Sequence, residues 1–227
     1  MAELTWAVVI PAFNAAANIA TVIQGCSRHI PLDRILVVDD GSEDKTADIA
    51  EKAGAQIVIQ AVNSGKGRAL RTGFVAASAW HPDWIICLDA DGQHDPENIP
   101  DFQAAASTGQ YGVIIGNRLA DTSSMPPMRR FSNSFSTRLL NWRTRLKLLD
   151  AQCGYRAIRV SDLAKMRLQS ESYEIEVELI LEAWRLGIKI GWTPIPTVYQ
   201  DEISYLKKLP ETLRFLKLYL RTFYASE

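Results

Sequence analysis

Two carboxylates one residue apart, Asp89 and Asp91, follow a short apolar run, Trp84–Leu88, and precede Gly92 and Gln93. Carboxylates at this spacing on a strand exit can converge on one hard divalent cation through the turn, and Gln93 can add a carbonyl oxygen. Mg²⁺ and Mn²⁺ take such oxygen ligands and share them with phosphate oxygens. The expectation is a metal–diphosphate site held by Asp89, Asp91 and Gln93. The alternative is a solvated Asp-Gly turn, with Gln93 a plain surface amide. His94 reads as a polar neighbour rather than a ligand.

Three other stretches could serve the same site: Pro11–Asn14, Asp39-Asp40-Gly41-Ser42 and Asn63–Gly67. A carboxylate at Asp39, and less so at Asp40, can accept hydrogen bonds from a nucleobase or ribose; Asp also caps helices and forms turns. The N-S-G-K-G segment offers backbone N–H groups at a helix start, with Lys66 as a point charge for phosphate. It is not a P-loop, because G-x-x-x-x-G-K-[ST] is absent. The alternative is a glycine-rich helix start.

The elements that must position these residues alternate. Apolar runs at Thr5–Phe13, Arg34–Ser42, Gln56–Gln60, Trp84–Leu88 and Tyr111–Arg118 predict strands. Helices are predicted at Ala15–Cys26 with Asn14 as N-cap, at Lys45–Ala53 capped by Ser42 and stopped by Gly54, and within Asn63–Trp80. Strands separated by helices imply parallel pairing in a doubly wound α/β sheet, and continuous apolar strands imply burial on both faces. Such sheets bind ligands at the carboxyl ends of their strands. All four chemical stretches fall there, on one rim.

After Leu119 the texture changes. Asp121–Met128 is a loop by composition. Arg129–Leu149 carries six basic residues and no acid, on helical spacing. It is either a solvated amphipathic helix or a surface for an anionic acceptor, and Arg118 adds charge near the same rim. Asp150–Arg159 reads as a turn and strand, Tyr173–Leu186 as a helix stopped by Gly187, and Lys189–Tyr199 as an edge strand or strand end, because of its prolines. Glu174, Glu178 and Glu182 form a stripe read as a wet helix face, with Glu174 or Glu176 the alternative that faces the site. Glu211–Tyr224 is amphipathic, with Arg214, Lys217 and Arg221 on one face. It can lie on an anionic bilayer or pack on the core, and the membrane is the preferred expectation.

Composition bounds the function. At 227 residues the chain can bury a sizeable core as one domain. A net charge of −1 gives no basic field for nucleic acid. Three scattered cysteines, Cys26, Cys87 and Cys153, with no C-x-x-C pair, predict neither disulfides nor zinc. With no signal-like segment and no apolar run of about 18–20 residues, a cytoplasmic chain is expected, peripheral if it meets a membrane.

These segments, in this order, resemble family 2 inverting glycosyltransferases of the GT-A fold over roughly residues 5–200. The likeness rests on VVIPAFN, VVDDGSEDKT, NSGKGRALRTGF, CLDADGQHDPE, IIGNR, DAQCGYRA and the Tyr173–Leu186 helix. The D-A-D-x-Q form is similar to dolichyl- or polyprenyl-phosphate sugar transferases. The resemblance implies a GT-A-like, mostly parallel, doubly wound sheet flanked by helices in a single domain. Residues 1–118 would form its nucleotide-sugar half, 119–200 its acceptor half and 201–227 an amphipathic tail. It places Pro11, Phe13, Asp39, Asp40, Lys66, Asp89 and Ala90 at the nucleotide sugar, and Asp89, Asp91 and Gln93 on Mg²⁺ or Mn²⁺. Arg118 and Arg130 would meet the acceptor phosphate or the leaving group. The chain departs from the pattern at Ala15-Ala16-Ala17, where many relatives carry acids. It departs again at YQDEISYL (Tyr199–Leu206), where phosphomannosyl synthases often carry Arg and Lys.

The resemblance implies transfer from a UDP- or GDP-sugar with inversion. The leaving diphosphate gathers charge that a divalent metal stabilises. An alcohol acceptor needs a protein base, for which Asp150 is the candidate. A phosphate monoester, with a second pKa of about 6, needs none. The expected acceptor is therefore a lipid phosphate at the cytosolic membrane face, reached through the tail or a membrane-protein partner. The alternatives are a soluble family 2 enzyme glycosylating a sugar hydroxyl, and a non-catalytic nucleotide-sugar-binding module. A nucleotidyltransferase would want a glycine-rich loop where Pro11-Ala12-Phe13-Asn14 stands.

Overall fold

The computed structural model describes residues 4–118 and 127–196, with residues 127–132 described by their backbone alone, together with Arg214, Leu218 and Tyr219. The elements run β1 (Trp6–Ala12), α1 (Ile19–Ser27), β2 (Ile35–Asp39), α2 (Thr46–Lys52), β3 (Gln56–Ile59), α3 (Lys66–Ser78) and β4 (Trp84–Cys87). They continue with α4 (Ile99–Ser107), β5 (Val113–Asn117), α5 (Pro127–Thr144), β6 (Arg156–Arg159), α6 (Val160–Leu163), α7 (Ile175–Arg185) and β7 (Ile190–Pro194).

One seven-stranded sheet, ordered β3-β2-β1-β4-β6-β5-β7, runs through both halves of the chain. β1 pairs parallel with β2 and β4, and β5 parallel with β7. β6 enters antiparallel between β4 and β5, the one reversal among the described strands of a mostly parallel sheet. β1, β2 and β4 are buried nearly throughout, as continuous runs such as WAVVIPA and ILVVD require when helices cover both faces. β3 is the exception: as an edge strand it leaves Gln56 and Ile59 exposed. β7, the other edge, ends at Pro194, where a missing N–H costs the ladder nothing.

Helix periodicity explains the packing. In α1, Ile19, Val22, Ile23 and Cys26 recur at the spacing of one face, and all four are buried. The capping expectations fail on both early helices. α1 begins at Ile19, so Asn14 does not cap it; Asn14 adopts a left-handed φ of 50° and its Oδ1 accepts from the Glu43 N–H at 2.9 Å. Ser42 does not cap α2; its Oγ accepts from the Asn14 N–H, while Asp44 Oδ1 accepts from Thr46 N–H at 2.9 Å. The turns after β1 and β2 therefore hydrogen-bond to each other, because both must end side by side on the rim. Helix α4, buried through Ile99, Phe102 and Ala106, has no counterpart among the sequence expectations.

Candidate active site

The register puts Ala12 beside Asp39 and Val9 beside Cys87, so the ends of β1, β2 and β4 form one edge. From that edge β4 continues through buried Leu88 to Asp89, Ala90 and Asp91, then turns at Gly92, which has a φ of 77°. The Gln93 N–H donates to Asp91 Oδ1 at 2.9 Å. The Asp89 N–H donates to His94 Nδ1 at 3.3 Å, which places the imidazole proton on Nε2. His94 is buried beside Tyr155, and burial lowers its pKa to about 4, partly offset by Asp89.

Asp89 is not solitary. Lys66 Nζ lies 2.5 Å from Asp89 Oδ1 and 2.7 Å from Glu176 Oε1, with the Tyr173 ring 5.5 Å away. Burial raises the Asp89 pKa, but Lys66 and then His94 outweigh it and hold the carboxyl at about 2. Burial would likewise lower the Lys66 pKa, and the two carboxylates override it. Gly154 backs this pair closely; a Cβ there would stand 2.8 Å from both Asp89 Oδ2 and Lys66 Nζ.

The glycine-rich segment proves to be a clamp. The Ser64 and Gly65 N–H groups donate to Asp40 Oδ1 and Oδ2 at 2.9 and 2.7 Å, and the Arg68 N–H donates to Glu171 O at 3.2 Å. A Cβ on Gly67 would lie 2.6 Å from Ser170 O and 2.7 Å from Ser172 O. The glycines thus admit the backbone of residues 170–172, and these three donors are used inside the protein instead of cradling phosphate. Asp40, buried, is engaged in that clamp on both oxygens. Asp39, equally buried, accepts from the Ser42 N–H through Oδ1 at 2.9 Å.

On the other flank Arg118 meets Asp150 through two hydrogen bonds, Nε to Oδ2 at 2.8 Å and Nη2 to Oδ1 at 3.0 Å. Asp150 is fully buried and also accepts from the Gln152 N–H. Arg130 lies in the first turn of α5, and its side chain is outside the described residues. Pro11 and Phe13 are half-buried at the end of β1, and Ala90 is buried.

The oxygen donors suit a hard cation. Among the described residues no three His, Cys, Asp or Glu side chains gather into a metal cage. A cation held by one or two carboxylates and by substrate phosphates is, however, the usual Mg²⁺ arrangement. Asp89 keeps 28% of its side chain exposed despite the Lys66 pair. The donor set of Asp89, Asp91 and Gln93 therefore fits a divalent cation.

The sequence profile of glycosyl transferase family 2 matches residues 7–167. The chain belongs to that family. An uncharacterized Methanocaldococcus jannaschii protein is 35% identical over 86% of this chain and 82% of its own. A Methanococcus voltae protein named UDP-N-acetylglucosamine–dolichyl-phosphate N-acetylglucosaminyltransferase is 28% identical, covering 88% of each. The fold matches that of Mycobacterium tuberculosis glucosyl-3-phosphoglycerate synthase solved with UDP, with a TM-score of 0.76 at 23% identity over 96% of this chain and 79% of that one. The protein is a glycosyltransferase with the GT-A fold.

Two residues packed around the candidate site, Arg156 and Tyr155, escaped the sequence reading. Arg156 is buried, donating from Nε to Cys153 O at 2.6 Å, from Nη2 to Ala151 O at 2.9 Å, and from Nη1 to Glu176 O. It ties the loop behind Asp89 to α7. Tyr155 packs between His94 and Phe102. Glu176, raised only as an alternative, is the buried partner of Lys66. The available signal was a charged residue inside an apolar run, Arg156 in YRAI and Glu176 in IEVELIL. The stripe of glutamates is not a wet face: Glu178 is buried and accepts from the Gln169 and Ser170 N–H groups, and Glu182 accepts from the Arg167 N–H. The chain before α7 folds back over it, and its donors need acceptors.

Two cavities, of 660 and 490 Å³, share Trp184 on the flank between the end of α5 and β7. Neither is lined by a rim carboxylate, so neither is the candidate site. No helix among the described residues is long and apolar enough to cross a membrane. The tail helix expected at Glu211–Tyr224 lies mostly outside the described residues; within it Arg214 is exposed and Tyr219 is buried.

Proposed function

We propose that this glycosyltransferase moves a sugar, with inversion, from a UDP- or GDP-sugar to a polyprenyl or dolichyl phosphate at the cytosolic face of a membrane. The observation that carries the acceptor class is the Arg118–Asp150 pair. An alcohol acceptor needs a base, and Asp150, the candidate, is fully buried with both oxygens held by a guanidinium. Such a carboxylate is poorly placed to take a proton. A phosphate acceptor is already an anion at pH 7 and needs positioning rather than a base. The dolichyl-phosphate relative supports the same acceptor class.

In this reading Asp89, Asp91 and Gln93 hold Mg²⁺ or Mn²⁺. When bound, the cation stabilises the charge of the departing diphosphate. Mycobacterium tuberculosis glucosyl-3-phosphoglycerate synthase, solved with Mn²⁺ and UDP, supports this pairing of metal and nucleotide. Asp39, Pro11 and Phe13 bind the nucleoside at the ends of β1 and β2. Asp40 fixes the start of α3 and so sets where Lys66 stands. Asp150 orients Arg118 toward the acceptor phosphate, and Arg130 adds charge from α5. His94 and Tyr155 support Asp89 from behind. The tail or a membrane-protein partner brings the enzyme to the lipid.

The test is turnover of labelled UDP- and GDP-sugars with polyprenyl phosphate and with the matching polyprenol, with and without Mn²⁺. The expected product forms only with the phosphate and metal and is cleaved by mild acid. An acid-stable glycoside formed on a hydroxyl acceptor would overturn the phosphate reading.

A further inference from the structure

We propose that Lys66 is an internal counter-cation for Asp89 that makes capture of the divalent metal conditional on the nucleotide. The inference rests on the metal–diphosphate reading of the site. The Lys66 side chain is 11% exposed, and its ammonium touches Asp89 at 2.5 Å and Glu176 at 2.7 Å. It has little room to leave. The backbone of Gly154 stands behind it, the Tyr173 ring lies over it, and its own helix start is held by Asp40 and by residues 170–172.

A dication reaching Asp89 alone must therefore bind a carboxylate that already carries an ammonium. Like charges this close repel strongly where water is partly excluded. A diphosphate changes the balance, because it brings negative charge and oxygen ligands to both cations at once. Glu176 completes the arrangement: as Asp89 turns to the metal, Lys66 keeps a buried carboxylate partner and is not stranded. By linkage, whatever factor the nucleotide adds to metal affinity, the metal adds to nucleotide affinity. The consequence is that metal and nucleotide enter as a unit, and the free enzyme does not hold the metal tightly.

The experiment measures unbound aqueous Mn²⁺ by its electron paramagnetic resonance signal during titration of the full chain, with and without UDP or GDP. It compares the native protein with Lys66→Met and Lys66→Arg. Native protein should bind Mn²⁺ at least about tenfold more tightly with the nucleotide present. Without nucleotide, Lys66→Met should bind Mn²⁺ at least about tenfold more tightly than native protein and lose most of the coupling, while Lys66→Arg keeps the native behaviour. Nucleotide-free Mn²⁺ affinity that is unchanged in Lys66→Met overturns the proposal; if its nucleotide affinity falls as well, Lys66 is a diphosphate ligand only. Should Lys66→Met not fold, the native protein still decides: equal Mn²⁺ affinity with and without nucleotide overturns the proposal. No Mn²⁺ binding with either nucleotide overturns the metal–nucleotide reading itself.

Discussion

Arg118 and Asp150, 32 residues apart, close on each other through two hydrogen bonds of 2.8 and 3.0 Å, with Asp150 wholly buried. The pair joins the end of β5 to the loop before β6, across the point where the sheet reverses direction. Removing one member leaves a buried charge without its partner. Asp150→Ala should therefore destabilise the protein by about 3–5 kcal/mol, read from urea unfolding. A carboxylate acting as a base would instead lose turnover at unchanged stability, and that result would reject the positioning role.

Asp91 occupies the rim and not the core, so its chemistry and its structural part separate. Asp91→Asn keeps an oxygen for the Gln93 N–H. It should leave stability within about 0.5 kcal/mol while lowering kcat by about 100- to 1,000-fold, as for loss of a transition-state charge stabiliser. Thermal melts and steady-state rates on the same preparation check both halves. Near-normal turnover sinks the site assignment.

Gly67 admits two carbonyl oxygens closer than any Cβ tolerates. Gly67→Ala must push residues 170–172 off the start of α3, at a cost of about 1–3 kcal/mol. Because Lys66 is the next residue, nucleotide-dependent stabilisation should shrink too. A melting curve identical to that of the native protein would contradict the clamp.

His94 makes acid stability a probe of the site. Its folded pKa of about 4 lies below the ordinary 6.5. Between those values the unfolded chain binds a proton that the native protein does not. Stability is thus intact above pH 6.5 and is lost progressively as pH falls toward 4, by up to about 3 kcal/mol. In metal-free protein, His94→Asn should flatten that limb of a stability–pH curve while still accepting the Asp89 N–H. An unchanged slope in the variant would assign the loss to other groups.

Much of this was legible in the chain itself. Continuous apolar runs ending in Asp or Asn marked β1, β2, β4 and β5, because strands covered on both faces admit little else. Gly54 and Gly187 stopped their helices at a φ of 90° and 67°, as the backbone there demands. The cap of α1 was misplaced, because Asn14 bonds to a partner 29 residues away that no local pattern reveals. The partners of Asp40 and Lys66 were hidden for a similar reason: nothing local shows that Asp40 takes the Ser64 and Gly65 N–H groups, or that Lys66 sits between the carboxylates of Asp89 and Glu176.

By itself the sequence determined the family, the layered α/β architecture and the rim on which Asp39, Asp89 and Asp91 stand, since periodicity and strand ends are local properties of the chain. Tertiary structure alone decided that β6 runs antiparallel, that Arg156 and Glu176 are buried, and that Lys66 stands between Asp89 and a glutamate 110 residues downstream. These depend on which distant segments share one volume. Within that volume low dielectric and close packing, rather than residue type, assign each charge its partner.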